Sequence, residues 1–291
     1  MGLRDAAPPL AAAGLWGGLY VVSKWGFASV PPLTLSFFRV AVGAVALYAA
    51  LSVVGRPADV PSRDRRGFAK LGAWVAVTLA AQFVGTDRTN ASQGSLLTMV
   101  TPVFTLLLGV TMLDERLTWR STAGMALAGV GTAAVLVGEY GLSLGGANAF
   151  GVAMLFAASA AWAVYTVDGA RLVRKYGALT TATYSALVAV PLLAVPAAVE
   201  LAVTGASVPV TPGVVGAVLY LGVGSTAVAW FLWYRGIETA TATVVAACFF
   251  AQPLVGAALG ALLLGETLGP GFAVGGVLMA VGVGLVSTAQ A

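Results

Sequence analysis

Two cations, Lys24 and Arg39, stand inside apolar runs of this chain. A charge in hydrocarbon costs about 2.5–3.5 kcal/mol on insertion scales, so it normally faces protein or water. Both fall at similar depth, and together they could meet a carboxylate or phosphate on a solute. The competing readings are snorkelling to the interface for Lys24 and backbone bonding for Arg39. Deep aromatic residues lie close by in the pattern. Tyr20 follows Trp16 by one helical turn and Tyr165 follows Trp162 in the same way, so each pair shares a face. These four suit the lining of a cavity for a flat solute. Polar residues interrupt apolar runs at Gln82, Thr101 and Gln252 and join the cavity candidates. Pro102 and Pro253 stand beside the last two. Proline lacks an N–H and kinks a helix, so both are hinge candidates. Glu115 and Glu266 end apolar runs and read either as gate contacts or as turn carboxylates near the next helix N-terminus. Trp25, Trp74, Trp119 and Trp233 fall near run ends and fit an interfacial belt.

Equally informative is what the chain lacks. It has no histidine and one cysteine, Cys248, in an apolar stretch. The usual catalytic and metal clusters cannot be built without those residues. An enzyme is therefore not expected, and no cofactor or metal is implied. The pI near 9.4 invites a nucleic-acid reading, but the basic residues sit mainly in short loops between apolar runs. That pattern belongs to membrane topology, so no nucleic-acid partner is expected.

The elements that must position these residues follow from composition. Of 291 residues, 59% are hydrophobic and 9% are charged, with mean hydropathy +0.94. Soluble domains are about a quarter charged. This chain cannot cover a soluble fold with polar surface, so the lipid bilayer is its expected solvent. The 37 glycines then read as faces where helices approach closely. About 20 apolar residues cross the hydrocarbon core. Ten such stretches are predicted, at 7–27, 33–54, 67–85, 90–112, 119–138, 149–169, 178–202, 213–233, 240–263 and 270–289. With both termini cytoplasmic, twelve of the fifteen Lys and Arg fall in cytoplasmic segments and Arg88 alone falls outside. That split supports ten helices with both ends inside.

The second half echoes the first. TPVFTLLLGVTMLDERL near 100 matches QPLVGAALGALLLGETL near 252. At a constant offset of 151, Pro102 pairs with Pro253, Glu115 with Glu266, Gly124 with Gly275 and Gly131 with Gly282. The repeats are taken as residues 1–143 and 144–291. Five helices each is an odd number, so the second repeat enters the membrane inverted. Inverted repeats support alternating access around a midplane site.

On these residues the chain resembles the drug/metabolite transporter superfamily, its EamA type with two EamA repeats. The resemblance rests on Pro102 to Leu117 followed by Gly124 and Gly131, on Pro253 to Leu268 followed by Gly275 and Gly282, and on Leu15-Trp16-Gly17 and Phe38-Arg39. The stretch from Ser185 to Val190 has no counterpart to Arg39, so that charge is not duplicated. The resemblance implies an all-α membrane protein, ten transmembrane helices as two inverted five-helix repeats around a central cavity. It also implies a place in the cytoplasmic (inner) membrane and a small-molecule solute, plausibly an amino acid, aromatic ones included. The absence of an acid near any midspan favours facilitated diffusion or exchange over proton coupling. The runner-up is an exchanger of anionic phosphorylated metabolites or nucleotide sugars, using Lys24 and Arg39. A non-transporting membrane sensor or subunit is the alternative class. A monomer is compatible with all of these, and oligomeric state is left open.

A reporter that fluoresces only in the cytoplasm tests the topology. Fused after Ala291 it should fluoresce, and fused at Thr89 it should stay dark.

Overall fold

The computed structural model describes residues 3–54, 60–89, 94, 97–114, 116, 118–140, 149–256 and 270–288. Glu115 and Glu266 lie outside the described residues. Every described element is helical. The helices are α1 (Leu3–Gly17), α2 (Leu19–Phe27), α3 (Pro32–Val54), α4 (Ser62–Arg88), α5 (Thr98–Leu113), α6 (Trp119–Tyr140), α7 (Ala149–Tyr176), α8 (Ala178–Thr204), α9 (Pro212–Thr239), α10 (Ala242–Gly256) and α11 (Pro270–Thr288). Among them α3, α4, α7, α8 and α9 are long and apolar enough to cross a membrane. Shorter apolar segments are Thr98–Leu113, Ala242–Gly256 and Ala273–Val286.

Large aliphatic side chains cover the outside, among them Val45 and Val53 of α3, Val195 and Val203 of α8, and Val277 of α11. In water such a surface would aggregate; against lipid it needs no cover. Buried positions lie on the faces between helices. On α6 they are Ser121, Gly124, Met125, Ala128, Gly131 and Thr132, one stripe at helical spacing.

That stripe packs on α11 without side chains between the backbones. A Cβ on Gly131 would lie 2.6 Å from the Gly275 carbonyl oxygen, and one on Gly124 would lie 2.6 Å from that of Gly282. Two further seams repeat the device. On α4, Gly72 receives Val188 and the Ser185 carbonyl of α8; on α9, Gly222 receives Val42 and the Arg39 carbonyl of α3. With no hydrophobic drive between helices in lipid, such close approach is the main source of association.

Carboxylates fix helix ends. Glu200 of α8 accepts from the Leu33 and Thr34 backbone N–H groups at 3.1 and 2.7 Å, and from Thr34 Oγ1 at 2.9 Å. These are orphan donors at the α3 N-terminus, where negative charge is favourable. Glu238 does the same for α8 by accepting from Ala178 N at 2.6 Å. At the opposite end from Glu200, α4 and α7 are tied by Lys70 to Asp168 at 2.6 Å and by Asp64 to Lys175 and Tyr176. α5 stops at Asp114, the one non-glycine residue with positive φ among those described.

Gly131→Ala should lose roughly 3 kcal/mol, because the added carbon meets backbone that must move. Gly129→Ala, where a Cβ meets nothing within 4 Å, should be neutral or gain about 0.5–1 kcal/mol. Unfolding of the detergent-solubilised protein checks the contrast.

Candidate functional site

The site grows from Arg39. Gly43 of α3 and Gly222 of α9 let these two helices touch, with a Cβ on Gly43 reaching 2.5 Å from Thr226 Cγ2. Across this contact α9 is a π-helix from Tyr220 to Val228. The wider turn presents the Ser225 carbonyl and the Thr226 hydroxyl to α3. Arg39 Nε donates to Thr226 Oγ1 at 2.9 Å and Nη2 donates to the Ser225 carbonyl at 3.2 Å. Nη1 donates to Gln82 Oε1 of α4 at 3.3 Å. The guanidinium carbon lies 5.6 Å from the centre of the Phe83 ring, within cation–π range. Arg39 is 2% exposed, and every one of these partners is neutral.

Arginine can only donate, so it fixes the Gln82 amide with its oxygen toward α3. Gln82 Nε2 then donates to Tyr20 Oη at 3.0 Å. Thr98 Oγ1 donates to the Gly94 carbonyl at 3.0 Å, which leaves its oxygen to accept from Tyr20 at 2.6 Å. One directed chain thus runs from α3 through α4 and α2 to α5.

These groups wall a buried cavity. Its lining comes from Trp16, Leu19, Tyr20, Arg39, Thr78, Leu79, Gln82, Thr98, Thr101, Ala158, Ser159, Trp162, Trp230, Phe249 and Gln252. The space is small, about 30 Å³, enough for water. Five buried polar atoms on its wall have no protein partner: Thr78 Oγ1, Ser159 Oγ, Trp162 Nε1, Trp230 Nε1 and Gln252 Oε1. Buried polar groups are nearly always hydrogen-bonded, so a cluster of exceptions marks a place for a ligand or water. Edge-on and stacked rings hold the aromatic wall: Trp16 lies 5.4 Å from Trp162 and 5.1 Å from Phe249 between ring centres.

The structure brings together Trp16, Tyr20, Arg39, Gln82, Thr101, Trp162 and Gln252. It sets Lys24 and Tyr165 apart. Lys24 Nζ donates to the Asp87 carbonyl at 3.0 Å and does not line the cavity. Tyr165 packs behind Trp162 at 4.8 Å between ring centres, with its hydroxyl 3.2 Å from Ser185 Oγ. Trp25 and Trp119 are 58% and 73% exposed, as a belt requires. Trp233 is not in the belt: it is 1% exposed, stacks among Trp16 and Phe249, and donates from Nε1 to Thr166 Oγ1 at 3.2 Å. Cys248 is fully buried, its thiol toward the Val244 carbonyl. Pro102 and Pro253 each follow a single 3₁₀ turn, Thr98–Val100 and Cys248–Phe250.

Several lining residues escaped the reading of the sequence. Thr78 stands one turn before Gln82 and Ser159 one turn before Trp162, so helical spacing would have found both. Thr98 and Phe249 are one turn before Thr101 and Gln252 and match each other at the repeat offset. Ser225 and Thr226 gave no such signal, because a π-helix breaks the expected spacing.

Known proteins place this architecture. A solved crystal structure superposes with a TM-score of 0.79, covering 100% of this chain and 99% of its own at 20% identity. It is a likeness of fold. A protein named "Uncharacterized transporter" from Archaeoglobus fulgidus is 28% identical, over 95% of this chain and 94% of its own. "Probable amino-acid metabolite efflux pump" from Salmonella typhimurium is 27% identical over 97% and 94%. "Probable terminal-alkyne amino-acid exporter" from Streptantibioticus cattleyicolor is 27% identical over 94% and 89%. The profile of the EamA-like transporter family matches twice, at residues 9–137 and 149–288. The chain is a membrane protein of the EamA-like transporter family.

Proposed function

We propose that this protein is a secondary transporter or facilitator for a small carboxylate-bearing metabolite of the amino-acid class, moved across the cytoplasmic membrane by alternating access. The observation that carries the reading is Arg39: a buried cation held by neutral groups, on the wall of a cavity with five unpartnered polar atoms. A solute carboxylate answers both needs, and the indoles of Trp16, Trp162 and Trp230 give a flat body its walls. The names of the Salmonella and Streptantibioticus relatives lend weight to the amino-acid class.

The carrier proposed is a ten-helix bundle of two inverted halves, with the α1–α2 pair counted as one span and both termini inside. Its support lies in reciprocal contacts. At the repeat offset Gly124 corresponds to Gly275 and Gly131 to Gly282, and in the fold Gly124 meets Gly282 while Gly131 meets Gly275. Exchange of equivalent partners is what a twofold axis generates. The matched 3₁₀ turns before Pro102 and Pro253 are where each half would bend, since a mid-helix 3₁₀ stretch often marks a hinge. With about 30 Å³ of space, the cavity must widen there to take a solute. The phosphorylated-metabolite reading loses its second cation, because Lys24 is committed to the Asp87 carbonyl.

Proteoliposomes test the function. Uptake of carboxylates of the amino-acid class should proceed without a pH gradient, and a sugar should not enter. Arg39→Ala should lower uptake at least tenfold, the loss of one charge-assisted contact of about 1.5–3 kcal/mol. Arg39→Lys should retain part of it. Transport that depends wholly on a proton gradient would overturn the coupling, and normal rates in Arg39→Ala would overturn the site.

A further inference from the structure

We infer that, within this class, the cavity takes its solute as a net monoanion: a carboxylic acid whose amino group is absent or acylated, rather than the free zwitterion. The inference rests on the transporter reading above and on the charge balance of the wall. Arg39 supplies one positive charge. Among the described residues, no Asp or Glu lines the cavity. The carboxylates on neighbouring α4 and α7 are engaged elsewhere: Asp168 pairs with Lys70, and Asp64 with Lys175. Asp87 lies beside Arg88, with its side chain half-exposed.

Closing the cavity removes water from whatever it holds. A lone guanidinium in a dry site is costly, and one carboxylate cancels it. A zwitterion brings an ammonium back into the same space and leaves the closed site at net +1. The hydrogen-bonding inventory points the same way. Trp162 Nε1 and Trp230 Nε1 are unpartnered and can only donate. They suit the oxygens of an anion and cannot receive an ammonium. The sole unpartnered group there that can only accept is Gln252 Oε1. One neutral carbonyl matches one neutral N–H, such as that of an acylated amine. The two unpartnered hydroxyls, Thr78 Oγ1 and Ser159 Oγ, can donate or accept and so favour neither form. Among the rings of the wall, Trp16 stacks on Phe249 and Trp162 stands edge-on to Trp16.

The test uses four solutes with one aromatic body: phenylalanine, N-acetylphenylalanine, phenylpyruvate and phenethylamine. Binding is read by quenching of intrinsic tryptophan fluorescence in the purified full chain, and flux by uptake into proteoliposomes against protein-free vesicles. Both monoanions should bind at least tenfold tighter than phenylalanine, and phenethylamine should not bind. In Arg39→Gln the tenfold preference should collapse to within threefold, and in Arg39→Lys it should persist. Equal or tighter binding of phenylalanine overturns the inference and leaves the transporter reading intact. The reverse separation is also readable. Monoanions that bind with the expected preference but do not cross support the charge assignment and remove the transporter reading. If Arg39→Gln does not fold, Gln252→Leu serves instead: it should weaken N-acetylphenylalanine at least fivefold and leave phenylpyruvate, which has no N–H, within twofold. Equal losses for both would overturn the match between the acylated N–H and Gln252.

Discussion

A single guanidinium organises the molecule. Arg39 is too expensive to place in lipid and too well held to leave. Its three bonds reach two other helices, α4 and α9, and each bond dictates local structure. The bond to Gln82 orients an amide, and that amide orients the chain through Tyr20 to Thr98. The bonds to Ser225 and Thr226 require α9 to offer a carbonyl and a hydroxyl on the same side. A regular α-helix buries its carbonyls in its own ladder; the π segment widens the turn and leaves one able to accept from outside. The Ser225 carbonyl takes donors from both Arg39 and Trp16. Two glycines, Gly43 and Gly222, then let the α3 and α9 backbones come close enough for those bonds.

Around that centre the fold divides its labour by residue size. Small residues occupy the seams, so helices approach through backbone contact. Many large aliphatics face outward, where lipid is as good a neighbour as protein. Large aromatics concentrate at the wall of the cavity and just behind it, with a second group, Phe68, Tyr176 and Tyr184, joining α4, α7 and α8. Indole and phenol rings have few rotatable bonds, so they hold a shape at small entropic cost, and their N–H and O–H groups give that shape a direction. The α6–α11 pair contributes nothing to this wall and reads as a brace outside it.

Sequence carried the helical membrane character of the fold because the bilayer leaves few choices. Apolar stretches of fixed length and the placement of charges locate the helices, and the predicted limits of 119–138 and 270–289 fall within two residues of α6 and α11. The cavity was legible where helical spacing holds. Trp16, Arg39, Gln82 and Trp162 are polar or bulky interruptions on faces that turn inward. It was not legible where a residue's partner lies on a distant helix. Lys24 and Arg39 look alike in sequence, and only the fold shows that one reaches a carbonyl on α4 while the other faces the cavity. Trp233 looks like a belt residue by its position near a run end. It is buried because α9 continues to Thr239, so the residue sits six positions inside the helix. Tyr165 shares a face with Trp162 yet stands behind it, since an aromatic neighbour already fills the wall.

The unpartnered atoms connect structure to transport. Two indole N–H groups, two hydroxyls and a carbonyl on the cavity wall have no protein partner, so water or a solute must satisfy them. In the transport cycle proposed above, an open cavity supplies that water and a fitting solute replaces it on closure. On that proposal the solute binds the closed form more tightly than the open one. A ligand shifts a conformational equilibrium only by that difference. The orphan groups proposed to select a solute would then also couple its arrival to closure, and a solute that leaves them unmatched would not drive it. In the proposed cycle, specificity and conformational change draw on one set of atoms around Arg39.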